Sequence, residues 1–190
     1  MAKNQGVNSN QFLGRSLGTV AMVWGMLGVI CLLSYGVSKM IGHTREGFTY
    51  SLGIWHYVVL VVWTFFMAYS EGYKGFQKGF SPRVAARAVY LRDRSTWLRL
   101  ILAPPFCMGF FAAPRKRQIT VVVLLIGITL LVMLFRMIPQ PWRGVLDFGV
   151  IVGLSWGILA TLIFFVKFCM QGTGDVDAQV VETVASVEQD

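Results

Sequence analysis

Apolar stretches long enough to cross a lipid bilayer recur four times along the chain, and only the last contains a charged residue, Asp147. A helix rises 1.5 Å per residue, so about 20 apolar residues span the ~30 Å hydrocarbon core of a membrane. A pattern of long apolar runs separated by polar segments is typical of a polytopic all-α membrane protein. The four predicted spans are residues 16–38, 48–70, 118–135 and 144–166, within a membrane domain covering residues 16–171.

The first apolar stretch also resembles a secretory signal peptide, because Lys3 and Arg15 precede it and small residues flank Tyr35. The apolar region of a signal peptide is shorter, about 7 to 15 residues. Here the stretch continues to residue 38. We therefore expect an uncleaved membrane anchor.

Composition supports the membrane assignment and excludes two other classes of protein. Of the 190 residues, 55% are apolar and 14% are charged, with a mean hydropathy of +0.61. Such a chain is too apolar to be disordered or an ordinary soluble domain. The net charge of +8 would suit a nucleic-acid partner, but we expect none, because the apolar residues lie in spanning runs.

The distribution of lysine and arginine predicts the orientation. With the N-terminus inside, thirteen basic residues lie on the cytoplasmic side and four outside. Because cytoplasmic loops are enriched in lysine and arginine, we expect both termini in the cytoplasm. Residues 1–15 would form a cytoplasmic N-terminus, and the membrane would be a bacterial inner membrane.

The cytoplasmic loop at residues 71–117 contains an apolar part, residues 100–113, that is too short for a comfortable span. Pro104 and Pro105 would break a helix near its middle. We expect this part to be re-entrant or to lie at the interface. The alternative is a fifth span, which would place the flanking basic clusters on opposite sides of the membrane, against the charge rule.

The acidic segment at residues 172–190 has no basic residue and differs sharply from the rest of the chain. We expect a solvated, mostly disordered cytoplasmic tail. The alternative is a clamp that binds the basic loop within the same molecule.

The basic loop carries the first set of candidate functional residues. Continued α-helical winding beyond Ser70 would give an aromatic stripe, a basic stripe and a glycine stripe. Ser81 and Pro82 predict the start of a helix lying on the membrane surface, with arginines toward anionic headgroups. The basic residues would be topology anchors, a site for anionic lipid headgroups, or a docking surface for a partner protein. They are Lys74, Lys78, Arg83, Arg87, Arg94, Arg115, Lys116 and Arg117.

Glycines at four-residue spacing in the last span form the second set: Gly149, Gly153 and Gly157. They would leave one helix side bare, so that another helix could approach closely. We expect the first and fourth spans to meet each other or a second copy of the chain. The alternative is that these glycines face lipid.

Polar residues within or beside the spans form the third set: His56, Glu71, Arg143 and Asp147. An ionisable residue inside a membrane is a functional candidate. Arg143 lies four residues before Asp147, however, so the two side chains would form a local ion pair that satisfies the carboxylate. For His56, a packing role and a functional role both remain open.

Cofactor and catalytic motifs are weak. Cys31, Cys107 and Cys169 have no metal-binding spacing, and a haem held by two span histidines lacks its second ligand. We expect no metal and no cofactor. The G-x-S-x-G sequence around Ser155 lies inside a continuous apolar run, whereas a nucleophile elbow needs a strand followed by a turn.

These observations predict a non-enzymatic membrane protein, an accessory, assembly or structural component whose basic loop binds anionic lipid or a partner. The alternative is a small dimeric transporter or channel, with Glu71 and Asp147 near opposite ends of its path. Few ionisable residues lie in the spans, which disfavours ion transport. A membrane-embedded enzyme is disfavoured similarly by the scarcity of acid and base groups.

Overall fold

The computed structural model describes residues 5–93 and 97–173, together with residues 176, 178 and 180. For residues 5–15, 117, 120, 124, 125 and 131 it describes the backbone alone. Arg94 and most of the predicted tail, residues 172–190, therefore lie outside the described residues, as do the side chains of the predicted N-terminal segment 1–15.

Every regular element in these described ranges is a helix, so the all-α prediction is confirmed. Residues 54–93 form one continuous rod whose middle part is wound as a π-helix. In chain order the elements are α1 (Gln5–Gly47), α2 (Ile54–Met67), the π-helix (Ala68–Phe80), α3 (Ser81–Asp93), α4 (Trp97–Ile101), α5 (Ala103–Met108), α6 (Arg115–Arg136) and α7 (Trp142–Gln171).

Three of the helical segments are long and apolar enough to cross a membrane: Ser16–Gly47, Ile54–Asp93 and Trp142–Gln171. They correspond to the first, second and fourth predicted spans, and they are consistent with a helical membrane protein. The predicted third span lies in α6, where the apolar helix Val121–Arg136 is shorter than 18 residues. Large apolar side chains are widely exposed on all of these helices, as lipid-facing surfaces require.

The ends of the second span differ from the prediction. Its helix begins at Ile54 rather than at residue 48, because the preceding residues form a turn. In this turn the amide of Thr49 donates to the carbonyl of Glu46 at 3.0 Å. At the other end the rod continues far beyond residue 70. The chain therefore leaves the predicted span without a break in its helix.

Helix α7 lies at the centre of the bundle and packs against α1, α2, the π-helix and α3. It runs antiparallel to α1, since Gly144 near its start approaches Gly47 at the end of α1. It runs parallel to α2, since the His56 and Trp142 rings lie 4.2 Å apart near the starts of both helices. The end of α6 joins this group through Phe135 and Trp63, whose ring centroids are 6.5 Å apart.

The π-helix changes the register in which the rod meets α7. A π-helix bonds residue i to residue i+5, and such helices are usually single-turn bulges, whereas this one has 13 residues. Positions five apart in the rod face positions four apart in α7. The facing pairs are Glu71 with Gly153, Phe76 with Gly157 and Ser81 with Thr161. The α-helical stripes predicted for this segment are therefore not the ones that form.

A compact core occupies the end of the bundle where α1 begins and α7 ends. Helix α3 runs through its centre, enclosed by α1, α5 and α7. This arrangement differs from the predicted surface helix, because residues 84–89 and Leu91 are all buried. The buried members of this core include Met22, Met26 and Val29 of α1, Val84, Ala88 and Leu91 of α3, Ala103, Phe106 and Cys107 of α5, and Phe168 of α7.

Helices α4 and α5 contain most of the part predicted to be re-entrant or interfacial, residues 100–113, and they pack against α1. The chain breaks its helix at Leu102, so Pro104 lies in the first turn of α5, where proline is tolerated. The ring of Pro104 packs against Gly28 of α1, and Cys107 packs against Gly25. Helix α5 ends at Met108, and the next residue, Gly109, has a φ of 92°, the left-handed conformation that favours glycine.

Candidate functional site

Two lysines of the predicted basic set project from the outside of the π-helix. The ammonium of Lys74 lies 5.0 Å from the centroid of the Tyr69 ring, and that of Lys78 lies 4.7 Å from the centroid of Tyr73. Both pairs are five residues apart, the spacing that brings side chains together on a π-helix. These cation–π contacts hold two exposed positive charges beside two tyrosine rings.

Arg83 and Arg87 of α3 have different environments. Arg83 is exposed, whereas Arg87 is completely buried. The guanidinium of Arg87 lies 4.5 Å from the centroid of the Phe106 ring, and its Nε donates to the Phe106 carbonyl at 2.8 Å. Other guanidinium nitrogens donate to the carbonyls of Phe111, Ala112 and Ala178. Arg87 therefore joins α3 to the α5–α6 connection and to the C-terminal segment rather than facing a headgroup.

The remaining basic candidates lie around the start of α6. Arg115 and Lys116 are exposed in its first turn. The side chain of Arg117 and all of Arg94 lie outside the described residues. The structure thus places Lys74, Lys78 and Arg83 on the surface of the rod and Arg115 and Lys116 on a separate helix.

The glycine row of α7 faces α2 and the π-helix, the first two parts of the rod. A Cβ atom at Gly149 would come within 2.4 Å of the Trp63 indole, and one at Gly157 within 2.5 Å of the Phe76 ring. Gly153 lies against Glu71 and the Met67 carbonyl. Helix α1 also packs against α7, but the glycine row lies against the rod and not against α1.

The polar candidates separate into two places. Asp147 is buried, and its Oδ2 lies 3.8 Å from Nε of Arg143, the local ion pair that the spacing predicts. Glu71 lies beside Gly153, about 9 Å further along α7 at 1.5 Å per residue. Asp147 and Glu71 are therefore not brought together.

His56 lies in the first turn of α2, at the end of the bundle near Trp142. Its Nδ1 accepts a hydrogen bond from the amide of Gly53 at 3.1 Å. This hydrogen bond caps the start of α2, and the Trp142 ring packs against the imidazole. Nearby, the side chain of Gln140 donates to the His43 carbonyl and accepts from the Gly144 amide, each at 3.1 Å, which joins α1 to the start of α7.

The residues considered for catalysis and metal binding are dispersed. Ser155 lies in the middle of α7, without the strand and turn of a nucleophile elbow. The three cysteines are free. Among the described residues, no group of three or more histidine, cysteine or acidic side chains is arranged to hold a metal ion.

A groove between the π-helix and α7 was not predicted from the sequence. It has a volume of about 390 Å³, and Nε1 of Trp156 donates to Oε1 of Gln77 across it at 2.9 Å. Its α7 residues recur at helical spacing, which was a signal in the sequence, but the opposing wall depends on π-helical winding. The lining residues are Gln77, Trp156, Leu159, Ala160, Ile163, Phe164 and Lys167.

Comparison with known proteins gives no relative from which a function could be transferred. No protein-family model, curated protein or solved structure matches the chain.

Proposed function

We propose that this chain is a non-enzymatic accessory or assembly protein of the bacterial inner membrane, whose basic cytoplasmic side binds anionic lipid. In this proposal α6 supplies a fourth span, both termini are cytoplasmic, and α4 and α5 form a re-entrant or interfacial segment.

The arrangement of helix ends supports four spans. The end of α6 reaches Trp63 and Val150 near the end of the bundle where α1 ends and α7 begins. Its 22 residues would extend about 33 Å, and the apolar part, Val121–Arg136, would cover about 24 Å of the ~30 Å hydrocarbon core. Exposed apolar side chains along α6, including Ile126 and Leu130, suit a helix that faces lipid.

The surface of α4 is the observation that carries the lipid-binding proposal. Trp97, Leu98 and Ile101 are each at least 70% exposed. The charged residue between them, Arg99, lies instead with its guanidinium 5.9 Å from the ring centroids of Tyr90 and Phe106. A short helix that turns its charge inward and its tryptophan outward suits the membrane interface, where tryptophan is enriched.

The exposed cations of the rod complete this surface. Lys74, Lys78 and Arg83 lie on the part of the rod that follows the predicted second span. Each basic residue near an anionic leaflet contributes about 1 kcal/mol to binding. Arg87 takes no part in this proposal, because it is buried.

The test compares two triple variants of the full chain. Lys74→Gln, Lys78→Gln and Arg83→Gln remove three cations from the proposed cytoplasmic side. Lys39→Gln, Arg45→Gln and Arg136→Gln remove three from the proposed external side. Each protein is placed in nanodiscs with equal amounts of phosphatidylglycerol and phosphatidylcholine, and the lipids retained after transfer to mild detergent are counted by native mass spectrometry.

We expect the first variant to lose its preference for phosphatidylglycerol and the second to keep the preference of the parent. Equal retention by all three proteins would contradict the proposal. Suppose that lipid retention is unchanged and a protein copurifies with the parent but not with the first variant. This result would indicate that the basic side binds a protein partner instead of lipid.

A further inference from the structure

Two lysines and two tyrosines share one side of the π-helix. The rings of Tyr69 and Tyr73 have centroids 5.9 Å apart and planes inclined by 21°, so they stack on each other. Each ring holds one ammonium group: Lys74 lies 5.0 Å from the centroid of Tyr69, and Lys78 lies 4.7 Å from the centroid of Tyr73. We call these four residues the paired-lysine site.

The π-helical winding makes the two lysines neighbours. At roughly 4.4 residues per turn, Lys74 and Lys78 are almost one turn apart, so their like charges repel each other. The cation–π contacts oppose this repulsion, and they also restrict side chains that would otherwise lose rotamer entropy on binding a ligand. Tyr69 and Tyr73 are therefore positioning residues, which order two cations before a ligand binds.

The two positive charges of the paired-lysine site have no acidic neighbour along the rod. Residues 72–92 contain no aspartate or glutamate. Glu71 lies against Gly153, on the opposite side of the π-helix, which faces α7. Within the described part of the chain, no other element covers the flank of the site. A Cβ atom at Gly75 or Gly79 would meet only carbonyls of the rod itself, at 3.4 and 3.5 Å.

Two adjacent, exposed cations match a ligand whose own charge approaches two. A phosphodiester headgroup, such as that of phosphatidylglycerol, carries one negative charge. A phosphomonoester carries about −1.5 to −2 at neutral pH and has three strong acceptor oxygens. Each lysine ammonium has three donors and no planar geometry to satisfy, so both can donate to one tetrahedral phosphate. The charge and the donors of the site therefore favour a phosphomonoester over a phosphodiester.

We propose that the paired-lysine site binds a lipid with a phosphomonoester headgroup, such as phosphatidic acid, in preference to phosphodiester lipids. This site rests on the proposed function, in which these lysines lie at the cytoplasmic headgroups, where tyrosine rings are also enriched. The cations of the rod as a group would attract any anionic lipid. The paired-lysine site would instead distinguish one anionic lipid from another.

The test changes the rings and leaves the charges in place. Tyr69→Leu with Tyr73→Leu removes both cation–π contacts, and Tyr69→Phe with Tyr73→Phe is the conservative variant that keeps the rings. The control, Tyr35→Leu with Tyr57→Leu, removes two exposed tyrosines elsewhere, including the ring that lies 5.3 Å from the ammonium of Lys39.

Each full-length protein is placed in nanodiscs that contain equal amounts of phosphatidic acid and phosphatidylglycerol with identical acyl chains. Native mass spectrometry after transfer to mild detergent then gives the ratio of the two retained lipids. A parallel sample receives glycerol 3-phosphate, the soluble form of the headgroup, in place of phosphatidic acid.

We expect the parent to retain phosphatidic acid over phosphatidylglycerol. The leucine pair at Tyr69 and Tyr73 should lower this ratio about fivefold, the equivalent of the ~1 kcal/mol that an exposed cation–π contact contributes. The phenylalanine pair should keep the ratio of the parent, because the ring face that holds each ammonium is unchanged. The control pair should also keep it, and Lys74→Gln with Lys78→Gln should lower it at least as much as the leucine pair.

Two results would overturn the phosphomonoester site: a parent that retains both lipids equally, or a leucine pair with the ratio of the parent. The proposed function survives either result if the rod variant described above still loses its preference for phosphatidylglycerol over phosphatidylcholine. If no variant changes either preference, both proposals fail.

Two further results would assign the site to another ligand and would equally overturn the proposal. Retention of glycerol 3-phosphate as strong as that of phosphatidic acid would identify a free phosphate compound as the ligand. A protein that copurifies with the parent but not with the leucine pair, at an unchanged lipid ratio, would identify a docking surface for a protein.

Discussion

Nη1 of Arg87 donates to the carbonyl of Ala178 at 3.3 Å, across 91 positions of sequence. Val176, Ala178 and Val180 pack against the core that contains α3. The sequence predicts a mostly solvated tail over residues 172–190, yet these three described residues contact the folded domain. Val176, Ala178 and Val180 thus extend the core beyond the end of α7.

Removing residues 174–190 should destabilise the end of the bundle that contains α3 by about 1–3 kcal/mol. The deletion removes three apolar contacts and one acceptor of Arg87. Thermal unfolding in detergent would measure the effect. Full-length chains with the acidic residues of this segment changed to serine are the control, and equal loss in both proteins would assign the effect to charge rather than to packing.

Arg87→Ala should destabilise the fold by about 3–5 kcal/mol, because it leaves several buried carbonyls without their donor. Arg83→Ala removes the same side chain from the surface one turn earlier, and we expect a change within about 0.5 kcal/mol. Chemical unfolding in mixed micelles would compare them. Similar stability of the two variants would exclude the structural role assigned to Arg87.

Gly149→Ala should lower stability by about 1–3 kcal/mol, because the new Cβ would meet the Trp63 indole at 2.4 Å. The matched control is Gly127→Ala in α6, where nothing lies within 4 Å of the added atom. That change should be neutral or stabilising by up to about 1 kcal/mol, since alanine favours helix. The difference in unfolding temperature between the two variants measures the packing effect.

Ser81 and Thr161 should be energetically coupled. Their hydroxyl oxygens lie 2.8 Å apart in a buried contact, and Thr161 donates to the Gly157 carbonyl at 2.8 Å. Thr161 therefore accepts the proton of Ser81. A double-mutant cycle with Ser81→Ala and Thr161→Val should give a coupling of about 0.5–1.5 kcal/mol. Additive effects would mean that the hydroxyls do not bond in the membrane.

Single cysteines test the topology in a background without Cys31, Cys107 and Cys169. Probes at Arg115 and Met137, the two ends of α6, should label from opposite sides of sealed vesicles. A probe at Thr49 should label from the same side as Met137. Labelling of both ends of α6 from one side would contradict four spans.

The membrane helices were predictable because the requirement for apolar residues along a span is local in sequence. The ends of these helices were predicted less accurately. The long side chain of Lys39 lies against the Tyr35 ring, so this charged residue continues the helix instead of ending it. The different environments of Arg83 and Arg87 were not predictable. Burial of Arg87 depends on carbonyls of Phe106 and Phe111, which only the folded α4–α5 segment brings near.

The same limit applies to the contacts of α7. Spacing alone indicated that the glycines around Gly153 form a packing surface, but not which helix would fill it. A prediction of the groove would have required the positions of two elements, α7 and the π-helix, at the same time. Trp156 finds Gln77 only because the opposing helix is wound with five-residue hydrogen bonds.

The π-helix sets the rotation of α3 about the axis of the continuous rod, relative to α2. At roughly 4.4 residues per turn, each residue advances the helix by about 80° instead of about 100°. Over 13 residues the difference of about 20° per residue accumulates to roughly 260°. Conversion of this segment to α-helical winding would rotate α3 about its own axis by most of a turn without changing a single side chain. Arg87 would leave the interior and another side of α3 would enter it, so the winding of the preceding segment determines which positive charges this end of the bundle exposes.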